Sequence, residues 1–240
     1  TDDIRYSRNG WRLHLPSIPE YDFYFTTNRF NVPELKALGA KKVLLTQMGY
    51  NRHLFKPLQI TENEAVRLGA QVGFIGHWEP ATEEVILGIA SKGVHVRVRG
   101  ASWRKMRNKK QLMTVVETHG LSVDDYTKAI CSTKVNLGIN STQSRNLSSG
   151  RTFEIAASGG FLLAQRTIEH QGFFVEGKEA EFFDSPEELL EKIYYYLDHD
   201  SQRKKIAAAG YQRCLASGYS WQELMVGLVD VIEGVSSTKI

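Results

Sequence analysis

Cysteine is scarce in this chain. There are two in 240 residues, Cys131 and Cys214, far apart and without metal-ligand spacing. That excludes a disulfide scaffold and a thiolate metal centre, and it predicts two buried free thiols in a reducing compartment. No run of 18 apolar residues occurs, and no signal peptide is recognisable, so a cytoplasmic protein is expected. Charge of one sign is also lacking: the net charge is +3, too small to argue for a nucleic-acid partner. Internal repeats and low-complexity tracts are absent. So are a G-x-G-x-x-G after a strand, a Walker A loop, a G-x-S-x-G elbow, an H-E-x-x-H pair and an EF-hand loop. A dinucleotide oxidoreductase, a P-loop NTPase and a zinc hydrolase are thereby disfavoured, and neither a metal nor a cofactor is expected.

What is present is organised around residues 136–164, NLGINSTQSRNLSSGRTFEIAASGGFLLA. An apolar strand over 135–139 runs into a Gly/Ser-rich loop, then a helix from Gly150 to Ser158, a Gly159-Gly160 stop, and a second strand over 161–164. A loop that feeds a helix N-terminus presents unpaired N–H groups and the positive end of the helix dipole, which suits an anion. Ser148, Ser149 and Gly150 are small enough for a phosphate to approach the backbone. Arg151 and Glu154 fall one turn apart, on one face. The plain structural reading is that a serine caps the helix and Arg151 pairs with Glu154.

Strands alternate with helices along the rest of the chain, which predicts an α/β fold with a Rossmann-like, doubly wound parallel sheet. No regular element is assigned to residues 1–20. Strands over 22–26 and 42–46 flank a short helix capped by Asn31, with Gly39 beyond its end. Periodicity is lost from Met48 to about Ala70, and residues 59–70 read as a linker. A second unit, 71–220, then carries strands at 72–76, 94–99 (half-exposed, the pattern of an edge or partly covered strand), 112–116, 135–139, 161–164 and 181–184. Helices are expected at 83–91, from the Ser122 cap to 132, at 186–198, at 201–215 and over 221–234.

The run Arg151-Thr152-Phe153-Glu154-Ile155-Ala156-Ala157-Ser158-Gly159-Gly160-Phe161-Leu162-Leu163 resembles the R-x-F-E-x-x-A-x-G-x-x-x-L signature of group 1 (family 4-like, GT-B) glycosyltransferases, in particular their spore-maturation-protein-like branch. The resemblance continues through Gly177-Lys178-Glu179-Ala180 and Phe182-Phe183-Asp184 to Tyr219-Ser220-Trp221. It implies that 1–58 is the tail of an N-terminal, acceptor-side domain, most of which is missing here. It also implies that 71–220 is the nucleotide-sugar-binding domain, and that the C-terminal helix, 221–240, crosses back to the N-terminal part. The implied activity is transfer of a sugar from a nucleotide-diphosphate donor to an unknown acceptor with retention, a hexosyltransferase-like reaction without a metal.

In open α/β sheets ligands sit beyond the carboxyl ends of the strands, so four loops are expected to form one cleft: 76–80, 100–104, 118–121 and 140–150. By the resemblance, Glu154 is the second Glu of an E-x7-E pair and binds the donor ribose; a carboxylate accepts two hydrogen bonds from a vicinal diol. Asn146 stands where the first Glu would be. It and Arg151 are the catalytic candidates. Ser148, Ser149, Gly150, Gly76, His77, Arg99 and Gly100 are candidates for the phosphates, and Thr118, His119 and Gly120 for the base. The Arg and Lys that usually follow the first strand are replaced by Gly76-His77-Trp78-Glu79-Pro80. Arg104–Lys110 is the one dense basic run, either a solvated loop or a weak contact for a membrane surface or acidic acceptor. The amide at 146 and the missing basic pair also fit a competing reading, a non-catalytic nucleotide-binding module or interaction scaffold of the same fold.

Overall fold

The computed structural model describes residue 4 and residues 11–117 and 120–234. The first elements among the described residues are α1 (Trp11–Ser17) and a 3-10 turn (Ile18–Glu20), where no element was expected. Pro19 at the start of the turn suits a helical first position. β1 (Tyr24–Thr26), α2 (Asn31–Ala37) and β2 (Val43–Leu45) follow as one β-α-β unit with parallel strands, Tyr24 opposite Val43. Asn31 lies inside the helix rather than capping it. It is buried, and its Nδ2 donates to Thr26 Oγ1 while its Oδ1 accepts from the Ile4 amide. Ile18, Tyr24 and Leu35 form a small separate core around this unit.

The expected linker contains a helix. α3 (Glu62–Leu68) starts at a capping box in which Thr61 Oγ1 accepts from the Glu64 amide and Glu64 accepts from the Thr61 amide. The T-x-x-E spacing was legible, but one seven-residue helix shows too little periodicity to detect. β3 (Ala70–Ile75), α4 (Pro80–Ser91), β4 (Val96–Arg99), α5 (Lys109–Leu112) and β5 (Val116–Glu117) come next. Residues 112–116, expected as a strand, are mostly the end of α5 and a turn. Then follow α6 (Val123–Ser132), β6 (Thr133–Gly138), α7 (Gly150–Ala157), β7 (Leu162–Gln165), an unanticipated α8 (Ile168–Phe173), β8 (Glu181–Phe183), α9 (Pro186–Asp198), α10 (Asp200–Ala216) and α11 (Trp221–Ile232).

β3 to β8 form one parallel sheet in the order β5-β4-β3-β6-β7-β8. The order reverses between β3 and β6, which are therefore the switch point at which a crevice opens. β4 is not an edge strand, because β5 covers it. Its half-polar pattern has another cause: Arg97 and Arg99 both bond Glu117 and the carbonyls at the end of α3. Side chains alternate between two faces. Val72, Leu137 and Leu163 pack with Ile86, Leu189 and Ile193 of α4 and α9; Leu162 and Ala164 pack with Ile130, Phe153 and Cys214 of α6, α7 and α10. Cys131 is only half-buried, with its thiol toward Ser158 O.

The C-terminal helix returns to the earlier part of the chain. Tyr50 N–H donates to Tyr219 O at 3.2 Å, and Trp221 N–H donates to Tyr50 O at 2.9 Å. Gly49 packs tightly there: a Cβ would sit 2.7 Å from Leu224 Cδ1 and 3.0 Å from Tyr219 O, so its neighbours would have to shift.

His170 in α8 is fully buried against Phe182. Gln165 O can only accept, so Nδ1 carries the proton to it at 2.6 Å, and Nε2 accepts from Thr152 Oγ1 at 2.9 Å. Burial pushes this imidazole down to about 4 from 6.5. A depressed histidine is neutral in the folded chain while the unfolded chain takes up a proton, so stability is full above pH 6.5 and falls as the pH drops toward 4. Urea titrations should show a loss of about 3 kcal/mol from this group across that window, and His170→Gln should flatten that part of the profile.

Candidate functional site

α7 begins at the switch point, and its first-turn arginine reaches back across it. Arg151 Nε donates to Ile75 O, at the end of β3, at 2.6 Å, and Nη1 donates to Ile139 O, just past β6, at 2.9 Å. The guanidinium lies 4.8 Å from the centre of the Phe74 ring. It does not form a salt bridge with Glu154. Two charge-assisted hydrogen bonds to main-chain carbonyls fix the separation of the two central strand ends.

A cleft of about 200 Å³ opens beside this arginine. His77 and Glu79 line one wall; Asn140, Ser141, Ser144 and Asn146 line the other; Ser149 and Arg151 border it at the start of α7. Glu79 sews the two loops together. It is 1% exposed and accepts from His77 Nε2 at 2.8 Å, from Ser141 Oγ at 2.5 Å, and from the amide and hydroxyl of Thr142 at 2.9 and 3.0 Å. Burial works against its ionisation, but these bonds outweigh it and hold the carboxyl below the usual range. A larger depression of about 440 Å³ shares Asn140, Ser141, Ser144 and Asn146 and extends to Arg145 and Arg166.

The candidates divide. His77, Asn146, Ser149 and Arg151 converge on the smaller cleft, and Gly150 opens the helix beside it. Asn146 accepts from Asn28 Nδ2 at 2.7 Å. The amide of Ser149 donates to Thr152 Oγ1 at 3.4 Å. Glu154 does not line this cleft. Its Oε2 accepts from Tyr126 Oη at 2.6 Å, and its Oε1 faces Gly150, where a Cβ would stand 3.4 Å away. Burial raises the Glu154 carboxyl, opposed by the Tyr126 hydroxyl and the charge of Arg151.

Other candidates serve the fold. Ser148 is buried, and its hydroxyl donates to Glu169, which also accepts from Arg29. Arg99 is buried behind β4 on Glu117 and Leu68 O, away from the cleft, because its strand is covered on that side by α3. Gly76 and Gly100 are a close-packed pair. Gly100 has φ +140°, and a Cβ there would lie 2.1 Å from Gly76 O, the atom that also accepts from Trp103 Nε1 at 2.8 Å. Trp103 is thus core, and the 100–104 loop backs the cleft rather than lining it. Thr118 and His119 lie outside the described residues, and Gly120 is exposed. Arg104, Lys105, Arg107, Lys109 and Lys110 are exposed, over a Glu83 that accepts from the amides of Arg107 and Asn108. Among the described residues no helix is long and apolar enough to cross a membrane, and no group of three or more His, Cys, Asp or Glu is placed to hold a metal.

Four participants escaped the sequence reading: Glu79, Tyr126, Asn28 and Glu169. Glu79 before Pro80 marks a helix start, but nothing local says that its carboxylate bridges to residues 62 and 63 positions away.

A family model described as glycosyl transferase-like matches residues 82–230. None of the curated proteins matches the chain. Among solved structures the chain is similar to sucrose-phosphate synthase from Thermosynechococcus elongatus, with 13% identity and a TM-score of 0.66 over 94% of this chain and 62% of that one. A glycosyltransferase from Rickettsia africae gives 14% and 0.69, over 97% and 69%. Anabaena HepE, solved in complex with UDP-glucose, gives 10% and 0.66, over 89% and 64%. At these identities the likeness is one of fold, and the chain spans less than two thirds of the length of the first and third.

Arg151→Ala should cost about 3 kcal/mol of unfolding free energy in urea, since it leaves two carbonyls unbonded at the switch point. Arg151→Lys, with one ammonium for two diverging acceptors, should recover less than half of that loss.

Proposed function

The chain belongs to the glycosyl transferase-like family, with the GT-B-type α/β fold, and from that premise we propose that it transfers a sugar from a nucleotide-diphosphate donor to an acceptor hydroxyl. The observation that carries this reading is the placement of Arg151, Ser149 and His77 around one cleft at the carboxyl ends of β3 and β6, beside the N-terminus of α7. The similar HepE was solved with UDP-glucose, which supports a nucleotide sugar as the ligand class. The diphosphate would lie against the first turn of α7 and Arg151, with the donor ribose toward Glu154 Oε1. Stabilising a departing diphosphate is an electrostatic task, suited to fixed donors that need no rearrangement. Retention at the anomeric carbon and independence from metal belong to the same proposal, as does an acceptor bound between this cleft and the N-terminal part. Membership of the spore-maturation-protein-like branch is part of the same proposal.

Incubation with UDP-, GDP-, ADP- and TDP-sugars tests the reading: release of one nucleoside diphosphate, by transfer or slow hydrolysis, is expected, and binding without release would favour a non-catalytic module. Glu154→Gln keeps an acceptor for Tyr126 and removes the charge that the ribose would meet. Affinity for the accepted donor should fall about 10- to 100-fold, with the melting temperature nearly unchanged; equal affinity in calorimetry would remove Glu154 from the site.

A further inference from the structure

The ionisable residues among those lining the smaller cleft are His77, Glu79 and Arg151. Arg151 supplies one positive charge, with two of its N–H groups already directed to carbonyls. Glu79 supplies one negative charge, buried and held ionised. With a neutral imidazole at 77 the formal charges of the wall sum to zero, so the two negative charges of a nucleotide-sugar diphosphate are met there only by the start of α7. An imidazolium changes the sum to +1.

The geometry is arranged for that change. His77 Nε2 is 2.8 Å from Glu79 Oε1, and Nδ1 has no hydrogen-bond partner among the described residues on a side chain that is 53% exposed. A carboxylate that accepts one ring N–H fixes the tautomer and the orientation of the imidazole. Ionisable groups on the neighbouring elements are engaged elsewhere. Glu83 of α4 accepts from Trp78 and the 107–108 amides, Arg145 of the opposing loop holds Glu34, and Glu154 of α7 accepts from Tyr126.

Resting on the donor reading above, we infer that binding of the donor diphosphate draws one proton from solvent onto His77 Nδ1, which keeps it and hydrogen-bonds through it to a phosphate oxygen. Glu79 is the positioning residue that turns the ring and stabilises the imidazolium. The site therefore prefers its donor at lower pH, unlike a site built on Lys or Arg, which are charged throughout the neutral range.

The test is titration calorimetry with whichever of UDP-, GDP-, ADP- or TDP-glucose binds, in buffers of different ionisation enthalpy. The diphosphate of a nucleotide sugar is a diester and has no group titrating near neutrality, so any proton taken up lands on the protein. Net uptake approaching one proton per donor is expected at pH 8, with affinity falling by up to tenfold per pH unit between pH 6 and 8. His77→Gln should abolish the uptake and flatten the profile. His77→Lys should restore affinity at pH 8 without uptake, and Glu79→Gln, which keeps an acceptor for the ring but not its charge, should reduce the uptake. Binding without uptake in the unmodified protein, or uptake unchanged in His77→Gln, overturns the inference while leaving the donor reading standing. Failure of every donor to bind from pH 6 to 8 overturns the donor reading and this inference with it.

Discussion

Arg151 holds the two central strand ends at a fixed separation, and the cleft has its shape because of that. A sheet whose order reverses between β3 and β6 necessarily parts there, since the connections leave in opposite directions. Without a tie the gap would be set by flexible loops. The guanidinium instead spans it, bonded to Ile75 O and Ile139 O and seated on the Phe74 ring. Gly76 leaves room for it, because a Cβ would lie 2.5 Å from Arg151 Nη2 and would push the guanidinium from its seat. The residue that the family resemblance marks for the ligand is therefore also a structural bracket, and the two roles are compatible because its remaining N–H groups border the cleft.

Around that bracket the walls are joined by polar contacts distant in sequence. Glu79 ties the loop after β3 to the loop after β6. Arg145 forms a two-pronged pair with Glu34 at 2.9 Å on each arm, Asn28 bonds Asn146, and Arg29 meets Glu169, which Ser148 also bonds. Charged pairs with both partners fixed by neighbouring bonds are worth more than solitary surface pairs. The small β1–α2–β2 unit is thereby fastened to the loop that lines both depressions. The return of residues 219–221 to Tyr50 fastens the same side from the other end of the chain. Loop 140–149 is consequently a supported wall, despite having no regular structure.

The strand–helix alternation was readable in the sequence because long periodic segments report their own partners: β3, β6, β7, α9 and α10 lie within two residues of expectation. Three short helices were not: α1, α3 and α8 have at most seven residues, too few to show a period. Arg99 illustrates a different limit. Its position after a strand is right for phosphate, yet a buried acceptor set from α3 and β5 claims it. The strand-end rule and the family resemblance placed Arg151, Ser149, Asn146 and His77 near one another, but no local pattern encodes the long-range bonds of Glu79 or the Tyr126 hydroxyl on Glu154.

Amide hydrogen exchange with and without a bound nucleotide sugar is the most direct measurement of where the donor sits. Protection confined to residues 76–79 and 140–152, with Tyr126 and Glu154 at its border, is the result this account predicts. Protection concentrated instead around residues 131–134 and 200–207, which line a separate depression at the opposite ends of β6 and β7, would contradict it.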